Sequence, residues 1–190
     1  MTGTGILRLF AAAGALAGPV WAQPRPIDTQ RSVITIHVGK AGLLSAAGHE
    51  HTVTAPIASG ELDDSAAPRA AFTVDAASLQ VQPDAKVSAK DQAEIQNNMQ
   101  TKALESARYP RIEFRSTAAA AKGADAWHVD GILTLHGVSK PIGVEVRRQG
   151  GAYTADVRLK QTDFGMQPIS VAGVVKVKNE LDLHFEIYAK

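Results

Sequence analysis

From Arg31 onward the chain alternates apolar and polar residues with a period of two, the mark of strands that bury one face. Ile34, Ile36 and Val38 alternate with Thr35 and His37, and Val53, Ala55 and Ile57 with Thr52, Thr54 and Pro56. Phe72 and Val74 flank Thr73, and Ile112 and Phe114 flank Glu113. Val129, Gly131, Leu133 and Leu135 share one parity, as do Ile142, Val144 and Val146, and then Tyr153, Ala155, Val157 and Leu159. The last run sets Val175, Val177, Leu181, Leu183, Phe185 and Ile187 against Lys176, Lys178, Asp182, His184 and Glu186. Turn formers separate these runs: Gly60 with Asp63-Asp64, Lys122-Gly123, His136-Gly137 and Gly150-Gly151. The short spacings make neighbouring strands antiparallel. About eight strands with one polar face describe a closed or nearly closed barrel, or a sandwich.

One segment departs from this pattern. Ser88 to about Ser106 is rich in Ala, Gln, Glu and Lys, with Ile95, Met99 and Ala103 four apart. Ser88 and Asp91 form an approximate capping box, and Tyr109-Pro110 marks the far limit. The spacing predicts one helix of about three to four turns whose apolar stripe lies against the sheet.

The N-terminus is of another kind. Ile6 to Val20 is apolar and small, interrupted only by Arg8, Gly14, Gly18 and Pro19, and Val20-Trp21-Ala22 ends it with small residues at the two positions a signal peptidase reads. This is the shape of a secretory signal peptide, and the stretch is short of the ~20 apolar residues of a membrane span. Residues 1–22 are therefore expected to be removed near Ala22, leaving 23–190 as a single domain in a periplasm-like compartment, not membrane-spanning. The alternative is an N-terminal membrane anchor.

Composition narrows the chemistry. The chain has 190 residues, 45% of them hydrophobic and 21% charged, enough for a real core. Arg8 is the only charge in residues 1–22, so the remainder balances 19 basic against 19 acidic residues. With no basic block, a nucleic-acid partner is not expected. Cysteine is absent, which excludes disulfides, thiolate catalysis and cysteine-held metals, and leaves six histidines as the good transition-metal ligands.

Several stretches resemble a known family. Gly131-Ile-Leu-Thr-Leu-His-Gly-Val-Ser-Lys-Pro-Ile142 is similar to the G-x-L-T-L-H-G-V-T-K-P-V hairpin of YceI-like proteins. Met99 to Thr117 resembles the segment where their helix ends in Tyr-Pro and re-enters the sheet as I-x-F-x-S-T. Asp163-Phe164-Gly165 and the opening Ser32 to Val38 match two further stretches, so the likeness runs from about Arg31 to the C-terminus. The resemblance implies a mainly β, lipocalin-like antiparallel barrel with one helix packed on it. It also implies an elongated apolar cavity holding a polyisoprenoid or similar amphiphile, such as an isoprenoid quinone, without catalysis and without another cofactor. By strand parity the wall of that cavity is expected to include Ile34, Ile36, Val38, Val53, Ile57, Phe72, Phe114, Leu133, Val144 and Phe185. The expected partner is a small hydrophobic or amphiphilic ligand, the protein being a monomer or homodimer.

Gly48-His49-Glu50-His51 stands where the family commonly has a Gly-x-Phe-like stretch, and looks like a histidine-bearing branch. His49 and His51 share the inward parity of Val53. They are candidates for a ligand's head group or for a metal, with His37, His136 or Glu50 as a further ligand; the plain alternative is two partly solvated residues at a loop junction. Two histidines two apart are a weak metal signal without more ligands. A metal-binding protein is accordingly the second functional reading. His136 is expected to bond backbone groups at its turn, and His128 and His184 to face solvent. Trp127 and Tyr153 read as cavity or core. Asp163-Phe164-Gly165 lacks every other kinase motif, and Ser45 with His49 lacks a nucleophile elbow, so neither points to an enzyme.

Overall fold

The computed structural model describes residues 24–41, 50–65, 68–171 and 175–190. The strands are β1 (Arg25–Pro26), β2 (Val33–Ala41), β3 (His51–Pro56), β4 (Ser59–Asp63), β5 (Arg69–Asp75), β6 (Gln80–Val81), β7 (Arg111–Gly123), β8 (Ala126–Leu135), β9 (Val138–Gln149), β10 (Ala152–Lys160), β11 (Ser170–Val171) and β12 (Val175–Tyr188). They join one antiparallel sheet in the order β1-β4-β5-β7-β8-β9-β10-β12-β2-β3-β6, with β11 pairing only with β12. Eleven strands in one path replace the expected eight. The additions are short edge pieces such as β1 and β6, two residues each, in which no period can be read.

The sheet curls into a half-barrel. Register shifts in β7, between Ser116 and Ala118 and between Ala121 and Gly123, and in β12, between Val177 and Leu181, add local twist and turn the strands around the axis. β3 runs through Ile57 and Ala58 directly into β4, so one chain segment links the two flanks of the sheet. Near β1, Ile27 bridges Ala189, the Asp28 amide donates to the Tyr188 carbonyl and the Lys190 amide to the Pro26 carbonyl, which straps the N-terminal strand onto the end of β12.

The hairpins follow their sequence signals closely. His136 and Gly137 have φ of 51° and 74°, and Gly150 and Gly151 of 58° and 84°. Left-handed pairs of this kind match the twist of antiparallel strands. The β7–β8 turn is Ala124-Asp125 rather than Lys122-Gly123, because Gly123 still pairs with Ala126.

Helix α1 spans Ala89–Asn98 and continues as a π-helical turn over Met99–Ala103. Ser88 caps it, its hydroxyl accepting from the Asp91 amide at 3.1 Å. The helix stops six residues before Tyr109 because Glu105 takes a left-handed φ of 43°, which no further helical turn can follow. It also shields the free edge of β6. The Gln96 amide accepts from the Val81 N–H at 2.8 Å and donates to the Leu79 carbonyl at 2.9 Å, pairing with the edge as a neighbouring strand would.

Candidate functional site

Inside the curl lies an apolar cavity of about 260 Å³. Its wall takes Ile34, Ile36 and Val38 from β2, Phe72 and Val74 from β5, Leu133 and Leu135 from β8, Val144 from β9, and Leu183 and Phe185 from β12. Ile95 and Met99 of the helix, with Ala103 and Leu104 after it, close the remaining side. The apolar stripe expected on the helix is thus the cavity's fourth wall. Phe72 stacks on Phe114 with ring centres 5.4 Å apart and meets Phe185 at 6.1 Å. Since β5 and β12 are separated by four strands in the sheet, this contact crosses the barrel and gives the cavity a waist. Gly131 makes room for the Phe114 ring of this stack: a Cβ there would lie 2.4 Å from it.

Of the residues placed on the wall by parity, Ile34, Ile36, Val38, Val53, Phe72, Phe114, Leu133, Val144 and Phe185 line the cavity. Ile57 does not. It is 2% exposed, but it sits in the corner between β3 and β4, where the alternation of β3 no longer fixes its direction, and it packs in the core instead. His51 opens β3 and lines the cavity, while Gly48, His49 and the segment before Gln23 lie outside the described residues. His37 is exposed on the opposite face of β2 and His136 is engaged elsewhere, so neither joins His51. Among the described residues no group of three or more His, Asp or Glu side chains is placed to hold a metal.

Two polar clusters mark the ends of β8. At its C-terminal end His136 reaches further than its own turn: Nε2 lies 2.9 Å from the Glu105 carboxylate, Nδ1 3.3 Å from the Phe164 carbonyl, and the ring packs 4.1 Å from that of Tyr109. Asp163-Phe164-Gly165 belongs to this cluster, with Phe164 2% exposed and Gly165 at a φ of 73°. Its role is packing.

At the other end Asp64 is a hub. Its Oδ2 accepts from the Tyr153 hydroxyl, from Arg25 Nη2 at 3.1 Å and from Arg148 Nη1 at 3.2 Å. Arg148 also holds Asp125 through Nη2 at 2.7 Å and Nε at 2.8 Å. The Tyr153 hydrogen bond, helped by the two guanidinium groups, keeps the Asp64 carboxyl below the usual carboxylate range. Burial, with the same hydrogen bond, raises the Tyr153 phenol. Trp127 lies beside Tyr153 with ring centres 6.0 Å apart, and Asp63, Asp64, Arg69, Trp127 and Tyr153 all border the cavity. Sequence reasoning saw Asp63-Asp64 only as a turn and Tyr153 only as an inward residue. No local spacing announces partners 89 residues apart.

The outer face carries charge pairs. His128 Nδ1 lies 2.6 Å from Glu145 and His184 Nδ1 2.7 Å from Asp156, so both outward histidines are paired as well as solvated. The Glu145 hydrogen bond raises the His128 pKa.

Comparison with known proteins assigns this architecture. The YceI-like domain matches residues 26–189. A UPF0312 protein of Pseudomonas savastanoi pv. phaseolicola is 37% identical over 93 residues, covering 44% of this chain and 47% of that protein. A UPF0312 protein of Vibrio cholerae is 29% identical over the same share of each. These matches span about half the length of the curated relatives. Among solved structures, Burkholderia cenocepacia BcnA superposes with a TM-score of 0.61 at 20% identity, over 86% of this chain and 99% of that one. A polyisoprenoid binding domain from Saccharophagus degradans gives 0.60 at 16% identity, over 88% and 100%. With the family match running from β1 to the end of β12, the chain belongs to the YceI-like domain family.

Proposed function

We propose that this protein is an exported, non-catalytic carrier that holds an isoprenoid-type or other amphiphilic lipid chain in its barrel cavity. The observation that carries the reading is the cavity itself, apolar along nearly its whole wall and bordered by both flanks of the sheet and by the helix. Such a wall binds by area, at about 25 cal/mol per Å² of hydrocarbon removed from water, and offers a hydrocarbon chain no reactive partner. The ten residues of β8 rise about 3.3 Å each, so the barrel is long enough for an extended chain of several isoprene units. A structural neighbour described as a polyisoprenoid binding domain supports the same ligand class. Residues 1–22 support export, and N-terminal sequencing of periplasmic protein should begin near Gln23.

The direct test is organic extraction and mass spectrometry of the purified protein beside elemental analysis. A stoichiometric lipid without metal supports the carrier; stoichiometric metal without lipid favours the second reading, with His51 and His49 as ligands. Val144→Trp then probes the wall. Filling a cavity should abolish lipid retention at a cost below the ~1–3 kcal/mol of overpacking a solid core. Global unfolding of that variant would instead show a filled barrel.

A further inference from the structure

The sheet is not equally closed along its path. β8 pairs with β9 without a break from Ala126/Arg147 to Leu135/Val138, and β10 with β12 from Ala152/Tyr188 to Lys160/Glu180. Between these two ladders, β9 and β10 pair only beside their hairpin, from Gln149/Ala152 to Val146/Ala155. Beyond that point residues 138–145 and 156–160 run on with no ladder between them, a seam of about 20 Å at the rise of a strand. The turn Gln161–Phe164, which touches both strands, closes its far end.

The residues themselves keep the seam unzipped. The Arg148 amide donates to the Asp125 carbonyl on the β8 side, and β9 has no register shift, so the amides of Val144 and Ile142 point to β8 as well. Those of Glu145 and Gly143 point to the seam, as would that of Pro141, which has no N–H to offer. The next register step would also set Glu145 opposite Asp156, and like charges in facing positions oppose pairing. Each bordering charge is instead drawn away: Glu145 to His128 on β8, Asp156 to His184 and Arg158 to Asp182 on β12. Among the described residues no hydrogen bond or ion pair crosses the seam.

Behind it lies the cavity. Ile142 and Val144 on one border and Val157 on the other line the cavity and are half-exposed, whereas Phe114 and Leu133 on the paired β7 and β8 are buried. By register Phe185 stands beside Ala155, the level at which the ladder stops, so the seam opens beyond the Phe72–Phe185 waist as seen from Asp64. A chain threaded from the Asp64 end would have to pass those rings. A chain laid in from the side would slide between aliphatic side chains instead.

We propose that the β9–β10 seam is a side door of the cavity, through which an apolar chain enters and leaves laterally, between Ile142 and Val144 on β9 and Val157 on β10. The inference rests on the carrier reading and adds to it the route of exchange. The door opens by parting two strand segments that no backbone hydrogen bond joins, while the short ladder at the hairpin stays intact.

The chain has no cysteine, so a pair introduced across the seam gives a single defined cross-link. Gly143→Cys with Arg158→Cys, opposite by register on the outer face, is closed with bismaleimidoethane. Thr134→Cys with Ser139→Cys, across the continuous β8–β9 ladder, is the matched control. Entry and release of cis-parinaric acid, a fluorescent polyene fatty acid, are followed by stopped flow on the delipidated protein. Cross-linking the seam should slow both rates at least about tenfold at nearly unchanged affinity, and cross-linking the control pair should change neither. Amide exchange gives an independent reading: Gly143 and Glu145 should exchange at least about a hundredfold faster than Ile142 and Val144. Pro141→Thr with Glu145→Thr supplies the missing N–H and removes the facing charge. It should extend protection to Gly143 and slow the fatty acid in the same direction, and so serves if the cysteine pair folds poorly. Entry and release unchanged by the seam cross-link, or equal protection of all four amides, overturns the side door and leaves the carrier standing. Failure of the parent protein to bind the fatty acid overturns the carrier reading itself.

Discussion

Just past the C-terminal end of β8, the His136 side chain is 9% exposed and ties the helix exit, its own hairpin and the Phe164 turn together. Before the other end of the same strand, Asp64 is 29% exposed and its partners Arg25 and Arg148 are 44% and 42% exposed. The contacts are similar in number and distance, yet their worth differs. A buried hydrogen-bonded ring leaves its partners unsatisfied when it is removed, whereas water and salt compete for the half-exposed ion pairs. The buried cluster also holds two non-glycine residues in left-handed conformations, His136 and Glu105, and they contact each other. Such strain persists only where the surroundings over-determine it. One end is therefore a structural clamp, and the other is a half-exposed ion-pair cluster that borders the cavity.

The heaviest loss should come from His136→Ala. It removes both ring contacts and the Tyr109 packing, and should cost about 2–4 kcal/mol, lowering the melting temperature by roughly 5–15 °C. A loss below one degree would place the clamp elsewhere. Gly137→Ala comes next. Gly137 has a φ of 74° and a Cβ there would lie 2.8 Å from the Tyr109 ring, so about 1–2 kcal/mol should be lost in chemical denaturation.

At the open end the effect is smaller. Asp64→Asn should cost no more than ~1 kcal/mol after solvent screening, and added salt should shrink the difference further. If Asp64→Asn proved as costly as His136→Ala, the two ends would not differ in kind. The smallest effect is in pH. The carboxyl of Asp64 is depressed in the folded state, so its contribution is present above the ordinary aspartate range and is lost as pH falls through the folded value. Parent and Asp64→Asn stability curves should therefore converge on acidification below about pH 4. Curves that stay parallel down to acid unfolding would show that the pair contributes nothing.

Much of this architecture was legible in the residue pattern because it is local. Period two assigned Ile34, Val53, Leu133 and Val144 to the inner face, and the His-Gly and Gly-Gly pairs located two hairpins. Ser88 and Asp91 announced the helix start. The helix ends at Ala103, three residues short of the Ser106 that the pattern suggests, because Glu105 takes a left-handed backbone that no residue preference announces. The short edge strands were missed for want of a period, and Ile57 was misplaced because a corner has none.

Which faces are apolar, where the chain turns, and the resemblance to the YceI-like family are all written in residues close together along the chain. That Phe185 meets Phe72 across the barrel, that the helix completes the cavity wall, and that Asp64 collects Tyr153, Arg25 and Arg148 emerges only when the whole chain is folded. Those meetings depend on how far the sheet curls and where its registers shift. Curl and shift accumulate over many strands, and no single stretch of residues records the sum.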